Sequence, residues 1–221
     1  MREIVLMADP RVARIPVADN GEGLVDLAEA GFLIDPRQAD PLGASRQLRA
    51  GAAERLARAE KLLPGGFRLL VVEGYRPPDL QRKFFEGYRE ELAALHPDYP
   101  PEQLRAAASR YVSPPELAPH TAGAAIDLTL CDAEGRELDL GTRMNANPEE
   151  SGGRCYTEAE GLPPEAVENR AVLVEAMHSA GFVNYPTEWW HFSYGDRYWA
   201  LISHRPGALY GPIEYHGPLD D

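Results

Sequence analysis

Cysteine is nearly missing from this chain of 221 residues, with Cys131 and Cys155 the only two. Two thiols are too few to staple a chain of this length, so a disulfide framework is excluded and free thiols in a reducing compartment are the default, a single bridge being the alternative. Long apolar runs are missing too. Asp9 and Pro10 interrupt the N-terminal stretch before an export-type apolar region can form, so no membrane span and a cytoplasmic location are expected. Positive charge is scarce: Lys and Arg number 22 against 35 Asp and Glu, a formal charge of -13. Such a chain repels phosphate backbones, and nucleic acid is not an expected partner. No Gly/Ser tract or low-complexity segment divides the sequence. Its 44% hydrophobic and 26% charged content suits one self-sufficient domain over 1–221, with a wrapping arm at 1–42 and a featureless tail at 197–221.

Along the chain, apolar residues at Leu48, Ala52, Leu56 and Ala59 predict a helix from Ser45 to about Leu63, stopped by Pro64-Gly65-Gly66. Phe67 to Tyr75 reads as a buried strand that delivers Arg76 to its end. Pro77 and Pro78 then break the chain, and Asp79 is the expected cap of a helix from Leu80 toward Leu95. A further helix starts at Pro101 and runs to about Tyr111. Ala124 to Cys131 alternates as a strand, with Ile126, Leu128 and Leu130 on one face and Asp127 on the other. A hairpin turn at 132–136 and a return strand from Leu138 follow, then a polar loop over 141–163 that is either an ordered wall or a lid. Glu165 to Ala180 is a helix between Pro163-Pro164 and Gly181. Phe182-Val183 and Glu188 to Tyr194 pair as strands around Asn184-Tyr185-Pro186.

Chemistry concentrates in two short stretches. Pro119 to Asp127 holds a histidine and an aspartate, and Thr187-Glu188-Trp189-Trp190-His191-Phe192 holds a glutamate three residues before a histidine. A catalytic zinc takes three protein ligands from His, Asp and Glu and keeps one position open; His120, Asp127 and His191 fit that inventory. Glu188 and His191 are an odd number of residues apart, so a regular strand would aim them at opposite faces. Glu188 is therefore expected at an irregular strand entrance beside Pro186, where it can act as general base on the attacking water and then as acid to the leaving amine. Arg76 is a cation able to steady a developing oxyanion. Taken one at a time, the same residues have plainer readings: Trp189-Trp190 as core, Arg76 as a structural ion pair, and Cys131 as a small buried residue. His96, His178, His204 and His216 have no partner at a telling spacing.

The run His120-Thr121-Ala122-Gly123-Ala124-Ala125-Ile126-Asp127, followed by Glu188-Trp189-Trp190-His191 and preceded by Gly74-Tyr75-Arg76-Pro77, resembles the D-alanyl-D-alanine dipeptidase family, the zinc peptidases of vancomycin-resistance type. The resemblance runs from about Leu24 to Tyr194. It implies one zinc per chain on His120, Asp127 and His191, Glu188 as base, Arg76 as transition-state stabiliser and a small peptide as substrate. It also implies a compact α+β domain with a central, mainly antiparallel sheet flanked by helices. Two positions depart from the family pattern: Ala118 stands where a serine is usual, and Asn145 stands where an aspartate helps hold the substrate ammonium, which Glu149 or Glu150 would have to replace. The reading that follows is zinc-dependent hydrolysis of D-alanyl-D-alanine or a closely related dipeptide. A peptidoglycan D,D- or L,D-carboxypeptidase or L-alanyl-D-glutamate peptidase of the same superfamily is the alternative, and a zinc-binding module without catalysis is a third; oligomeric state is left open.

Overall fold

Asp9 caps the first element, accepting from the backbone N–H of Arg11 at the start of the one-turn helix α1 (Pro10–Ala13). The computed structural model describes residues 4–38, 40 and 42–217. The N-terminal segment then supplies two strands, β1 (Leu24–Asp26) and β2 (Leu33–Ile34). Next come β3 (Gln47–Arg49), helix α2 (Ala50–Leu62), β4 (Arg68–Glu73), and the helical hairpin α3 (Pro78–Leu95) and α4 (Pro101–Ala108). The buried strand β5 (Ala125–Cys131) leads through a long loop carrying the single-turn α5 (Pro148–Ser151) to α6 (Pro164–Ser179). Strands β6 (Val183–Asn184) and β7 (His191–Ser193) and helix α7 (Arg197–Ile202) complete the order.

Five strands form the central sheet in the order β2-β4-β5-β7-β6, and β1 pairs with β3 apart from it. Among these strands the edge pair β2 and β4 is parallel and the other pairings are antiparallel. The expected α+β domain with a mainly antiparallel sheet is what the chain forms. Every residue of β5 is buried, because Ile126, Leu128 and Leu130 enter the main core with Leu56, Leu173 and Met177 from the covering helices. Among the described residues no helix is long and apolar enough to cross a membrane.

Three local expectations need correction. Residues 44–49 are not the first turns of a helix but a 3-10 turn and strand β3. The Asp40 carboxylate accepts from the backbone of Ala44 and Ser45 and holds that turn, and Gln47–Arg49 is drawn into the ladder with β1. Asp79 does not cap α3; Pro77 occupies that position and Pro78 opens the helix, with Asp79 inside its first turn. After β5 the chain turns at Asp132 to Arg136 as expected, but the return is one bridge from Cys131 to Glu137 and one further bond from Leu138 to Leu130, not a full strand.

The long loop is tied to its neighbours through Arg170 and Glu149. Buried Arg170 on α6 donates to the carbonyls of Leu140, Arg154 and Tyr156, and Arg110 and Tyr88 on the α4–α3 side both hold Glu149.

Gly74, just beyond β4, marks the tightest approach of backbone to backbone. Its N–H donates to the Ser45 carbonyl at 2.5 Å, and a Cβ there would run into the carbonyl oxygen of Gln47. Gly74→Ala should therefore destabilise the fold by about 1–3 kcal/mol, lowering the melting temperature by about 2–4 °C for each kcal/mol in a chain of this size. Thermal unfolding followed by circular dichroism reads this out, and an unchanged melting temperature would refute the close-approach argument.

Candidate metal centre

A bulge in β4 between Val71 and Glu73 sets Glu73 opposite Asp127, and Asp127 is in turn opposite His191 on β7. Residues paired across an antiparallel ladder share a face, so three adjacent strands present Glu73, Asp127 and His191 in one row. His120 arrives from outside the sheet, in the 3-10 turn Pro119–Ala122. Gly123 ends that turn at φ 61°, a conformation open to glycine, and packs against Leu24 where a Cβ would collide.

Three donor atoms converge. His120 Nε2 lies 3.2 Å from His191 Nδ1, His191 Nδ1 lies 2.9 Å from Asp127 Oδ1, and His120 Nε2 lies 3.4 Å from the same oxygen. All three residues are buried. His120 Nδ1 is 2.6 Å from the carbonyl of Gly74; a carbonyl only accepts, so Nδ1 carries the proton and Nε2 turns its lone pair into the cluster. Burial alone would raise the Asp127 carboxyl, but the two histidines pull it far below the usual carboxylate range. Burial lowers the proton affinity of the His191 imidazole, with Asp127 opposing. Two imidazole nitrogens and one carboxylate oxygen, buried and mutually close, make up a donor set of the kind a catalytic zinc takes and fit that ion.

Glu188 stands beside this set, its Oε2 3.9 Å from His191 Nδ1. It lies outside the regular strand: its N–H donates to the Tyr185 carbonyl and its own carbonyl accepts from His191 N–H, a turn that ends where β7 begins. Asn184 Nδ2 donates to the same Glu188 carbonyl at 3.0 Å and fixes the turn. Burial and then the Asp127 charge raise the Glu188 carboxyl well above the ordinary glutamate value, with Arg76 opposing.

Arg76 is clamped. Its Nε and Nη2 donate to the two oxygens of Glu73 at 2.7 and 2.5 Å, and Nη1 donates to Gln81 Oε1 at 2.8 Å. Gln81 in turn donates to the Ser113 carbonyl. Burial works against the guanidinium's charge, but Glu73 more than restores it. Glu73 and Gln81 were not singled out from the sequence. The signal for Glu73 was available, as an acid closing an otherwise apolar strand three residues before Arg76; Gln81 gave none.

A cavity of roughly 490 Å³ opens onto the cluster, lined among others by Phe84, Tyr111, Arg143 and Asn145. Asn145 adopts φ 57°, and its carbonyl accepts from Tyr111 Oη at 3.0 Å. Ala118 is buried just before the His120 turn and offers only its carbonyl, to Thr121. Glu149 faces Tyr88 and Arg110. Glu150 lines the cavity but is paired with Arg143 at 2.6 Å and completes the capping box of α5. Of the two, only Glu150 lines the cavity, with its Oε2 engaged by Arg143. Trp189 and Trp190 are both core residues, and Trp189 Nε1 donates to Thr142. Cys131 and Cys155 are free and buried. His96, His178, His204 and His216 lie outside the cluster.

A mainly antiparallel α+β domain that buries two histidines and an aspartate at the floor of a cleft, with a fourth side chain, the acid Glu188, at their edge, has the build of a metallohydrolase. The family model described as D-ala-D-ala dipeptidase, Peptidase M15, matches residues 44–205. The chain belongs to that family and is a metallopeptidase. It is 29% identical to a D-alanyl-D-alanine dipeptidase of Synechocystis over 93% of this chain and 95% of the relative, and 31% identical to one of Enterococcus faecium over 65% and 71%. Among solved structures it is similar to the vancomycin-resistance D,D-pentapeptidase VanY in complex with Zn(II), at 19% identity and a TM-score of 0.43, covering 81% of this chain and 89% of that one.

The clamp on Arg76 can be tested by stability. Glu73→Ala leaves a guanidinium that is only 11% exposed without its carboxylate and should cost about 3–5 kcal/mol. Urea unfolding measures it, and a loss below about 1 kcal/mol would mean that solvent replaces Glu73 without penalty.

Proposed function

We propose that this chain is a zinc-dependent dipeptidase that hydrolyses D-alanyl-D-alanine or a closely related small dipeptide, with one zinc on His120, Asp127 and His191. The observation that carries the reading is the convergence of His120 Nε2, Asp127 Oδ1 and His191 Nδ1, all within 4.8 Å of one another, beside the buried carboxylate of Glu188. Zinc bound there supplies Lewis acidity toward the scissile carbonyl and acidifies the attacking water.

The chain's own groups perform the rest. Glu188 takes the proton of the attacking water on its carboxylate and returns it to the leaving amine. Its environment suits that double duty, since a base that must also donate works best with an affinity for protons above that of an ordinary carboxylate. Arg76 serves the oxyanion. Three of the five guanidinium N–H groups are spent on Glu73 and Gln81, which leaves two, already oriented, for a tetrahedral intermediate. Aromatic side chains of Phe84 and Tyr111 line the cleft and offer apolar contact to a small substrate. The cytoplasm is the location this reading assigns, consistent with two buried free thiols.

One observation favours a second substrate class. Asn145 lines the cavity as a neutral amide, and Glu150 beside it is already paired with Arg143, so a free substrate ammonium would lack a charged partner in that wall. A peptidoglycan peptide with an acylated nitrogen needs none.

Purified zinc-loaded protein should release D-alanine from D-alanyl-D-alanine. Glu188→Gln should lower kcat by about 10²–10⁴-fold while zinc content stays at one per chain, and turnover that survives Glu188→Gln would end the mechanism. Asn145→Asp should raise activity on free dipeptides relative to their N-acetylated forms. Preference for muropeptides over free dipeptides in the unaltered chain would select the second substrate class.

A further inference from the structure

Gly87 lies in the middle of α3, where a helix has no use for glycine. Only proline is a poorer helix former, because glycine gives up so much backbone freedom on folding. A glycine is nonetheless suited to a helix surface wherever another group must come close to the backbone. The protein itself makes no such approach here: a Cβ at Gly87 would meet nothing within 4 Å. The packed face of α3 is formed by Phe85, Tyr88 and Leu92, which close on Ala108 and Val112. Gly87 instead lines the cavity over the metal centre, together with Lys83, Phe84, Tyr88 and Glu91 of the same helix.

That helical wall is longer than a dipeptide. Its inner end is at Arg76, whose guanidinium carbon lies 5.1 Å from the centroid of the Phe84 ring and whose Nη1 donates to Gln81 one turn earlier. From Phe84 the cavity follows the helix to Glu91, a rise of about 10 Å. An extended peptide covers about 3.3–3.6 Å per residue. A dipeptide therefore ends within about 7 Å, and its scissile bond has to sit at the metal centre. Lys83, Gly87 and Glu91 follow one another at intervals of four along one stripe of the helix. The glycine leaves the middle of that stripe bare.

We propose that the bare stripe at Gly87 is a subsite for the part of a peptide substrate that continues beyond the scissile dipeptide, so that Gly87 sets the length of chain the enzyme accepts. The inference rests on the peptidase reading given above and sharpens its substrate to a chain of three or more residues, with D-alanyl-D-alanine as the short limit of what is cleaved. An extended backbone can lie directly on a helix only where no side chain stands between them. Contacts made there, remote from the reacting bond, can be spent on the transition state. Filling the gap should therefore act in opposite directions on the two properties, improving the helix while blocking the subsite.

The zinc-loaded unaltered chain, Gly87→Ala and Gly87→Leu are compared on D-alanyl-D-alanine and on tri-, tetra- and pentapeptides that carry it at either end, with kcat/KM taken for each peptide and a thermal melt for each protein. The unaltered chain should favour a longer peptide over the dipeptide by at least about tenfold. Gly87→Ala should melt about 2–4 °C higher, which separates any loss of activity from a loss of folding. The preference for the longer peptide should shrink in Gly87→Ala and approach one in Gly87→Leu. Equal rates on all lengths in the unaltered chain, or a preference that survives Gly87→Leu, would overturn the inference and leave the peptidase reading standing. A protein that cleaves peptides of no length overturns both.

Discussion

The register of three strands is the constraint on which this molecule depends. Asp127 can lie between Glu73 and His191 only while β4, β5 and β7 hold their pairing, and a slip of one residue would turn each of these side chains to the opposite face. The hydrophobic residues enforce the pairing. Ile126, Leu128 and Leu130 alternate with Asp127 and are fully buried, so the slip that moved Asp127 out of the cleft would drag three large aliphatic groups out of the core. The polar row is thus held in place by the apolar one behind it. The bulge before Glu73 is the single irregularity, and it places the acid that clamps Arg76 opposite the acid that faces the histidines.

That row concentrates negative charge in a dry place. Glu73, Asp127 and Glu188 are all under 9% exposed, and Arg76 is the cation whose field reaches all three, with two of its five N–H donors on Glu73. The cost appears in Glu188, whose carboxyl is pushed up by burial and by Asp127. A divalent cation among His120, Asp127 and His191 would offset the Asp127 charge and ease Glu188 toward its ionised form, so metal binding and the readiness of the base are coupled through one electrostatic balance.

The parts of this structure that were legible in the sequence are those set by short-range pattern. The helix between Pro163-Pro164 and Gly181, the alternating strand at Ala125–Cys131 and the breaks around Pro77-Pro78 each carry their own punctuation. The odd spacing of Glu188 and His191 likewise led to a turn ahead of the strand, and the chain has one there, closed by the Asn184 side chain. What was not legible depends on distant partners. Gln47–Arg49 has helical periodicity on paper, yet it forms a strand because Leu24–Asp26 lies alongside. Gln81 looks like an ordinary surface residue of a first helical turn until Arg76 donates to it.

The segments at the two ends, which had little to say as sequence, brace the turn that carries His120. Buried Arg49 donates from Nε to the Ala122 carbonyl within that turn, and reaches the Glu22 carbonyl, Asp19 and the Gly211 carbonyl with its remaining nitrogens. Glu22 is held by Tyr210 Oη, while Ile213 donates to the Thr121 carbonyl and accepts from Tyr75 Oη. One guanidinium therefore joins the N-terminal strand region, the C-terminal segment and the backbone two residues beyond His120. A histidine on a 3-10 turn has no ladder of its own to fix it, unlike Asp127 and His191, and its position is only as firm as the contacts behind it. The ends of the chain supply those contacts, so they belong to the metal centre mechanically although neither contributes a group to it.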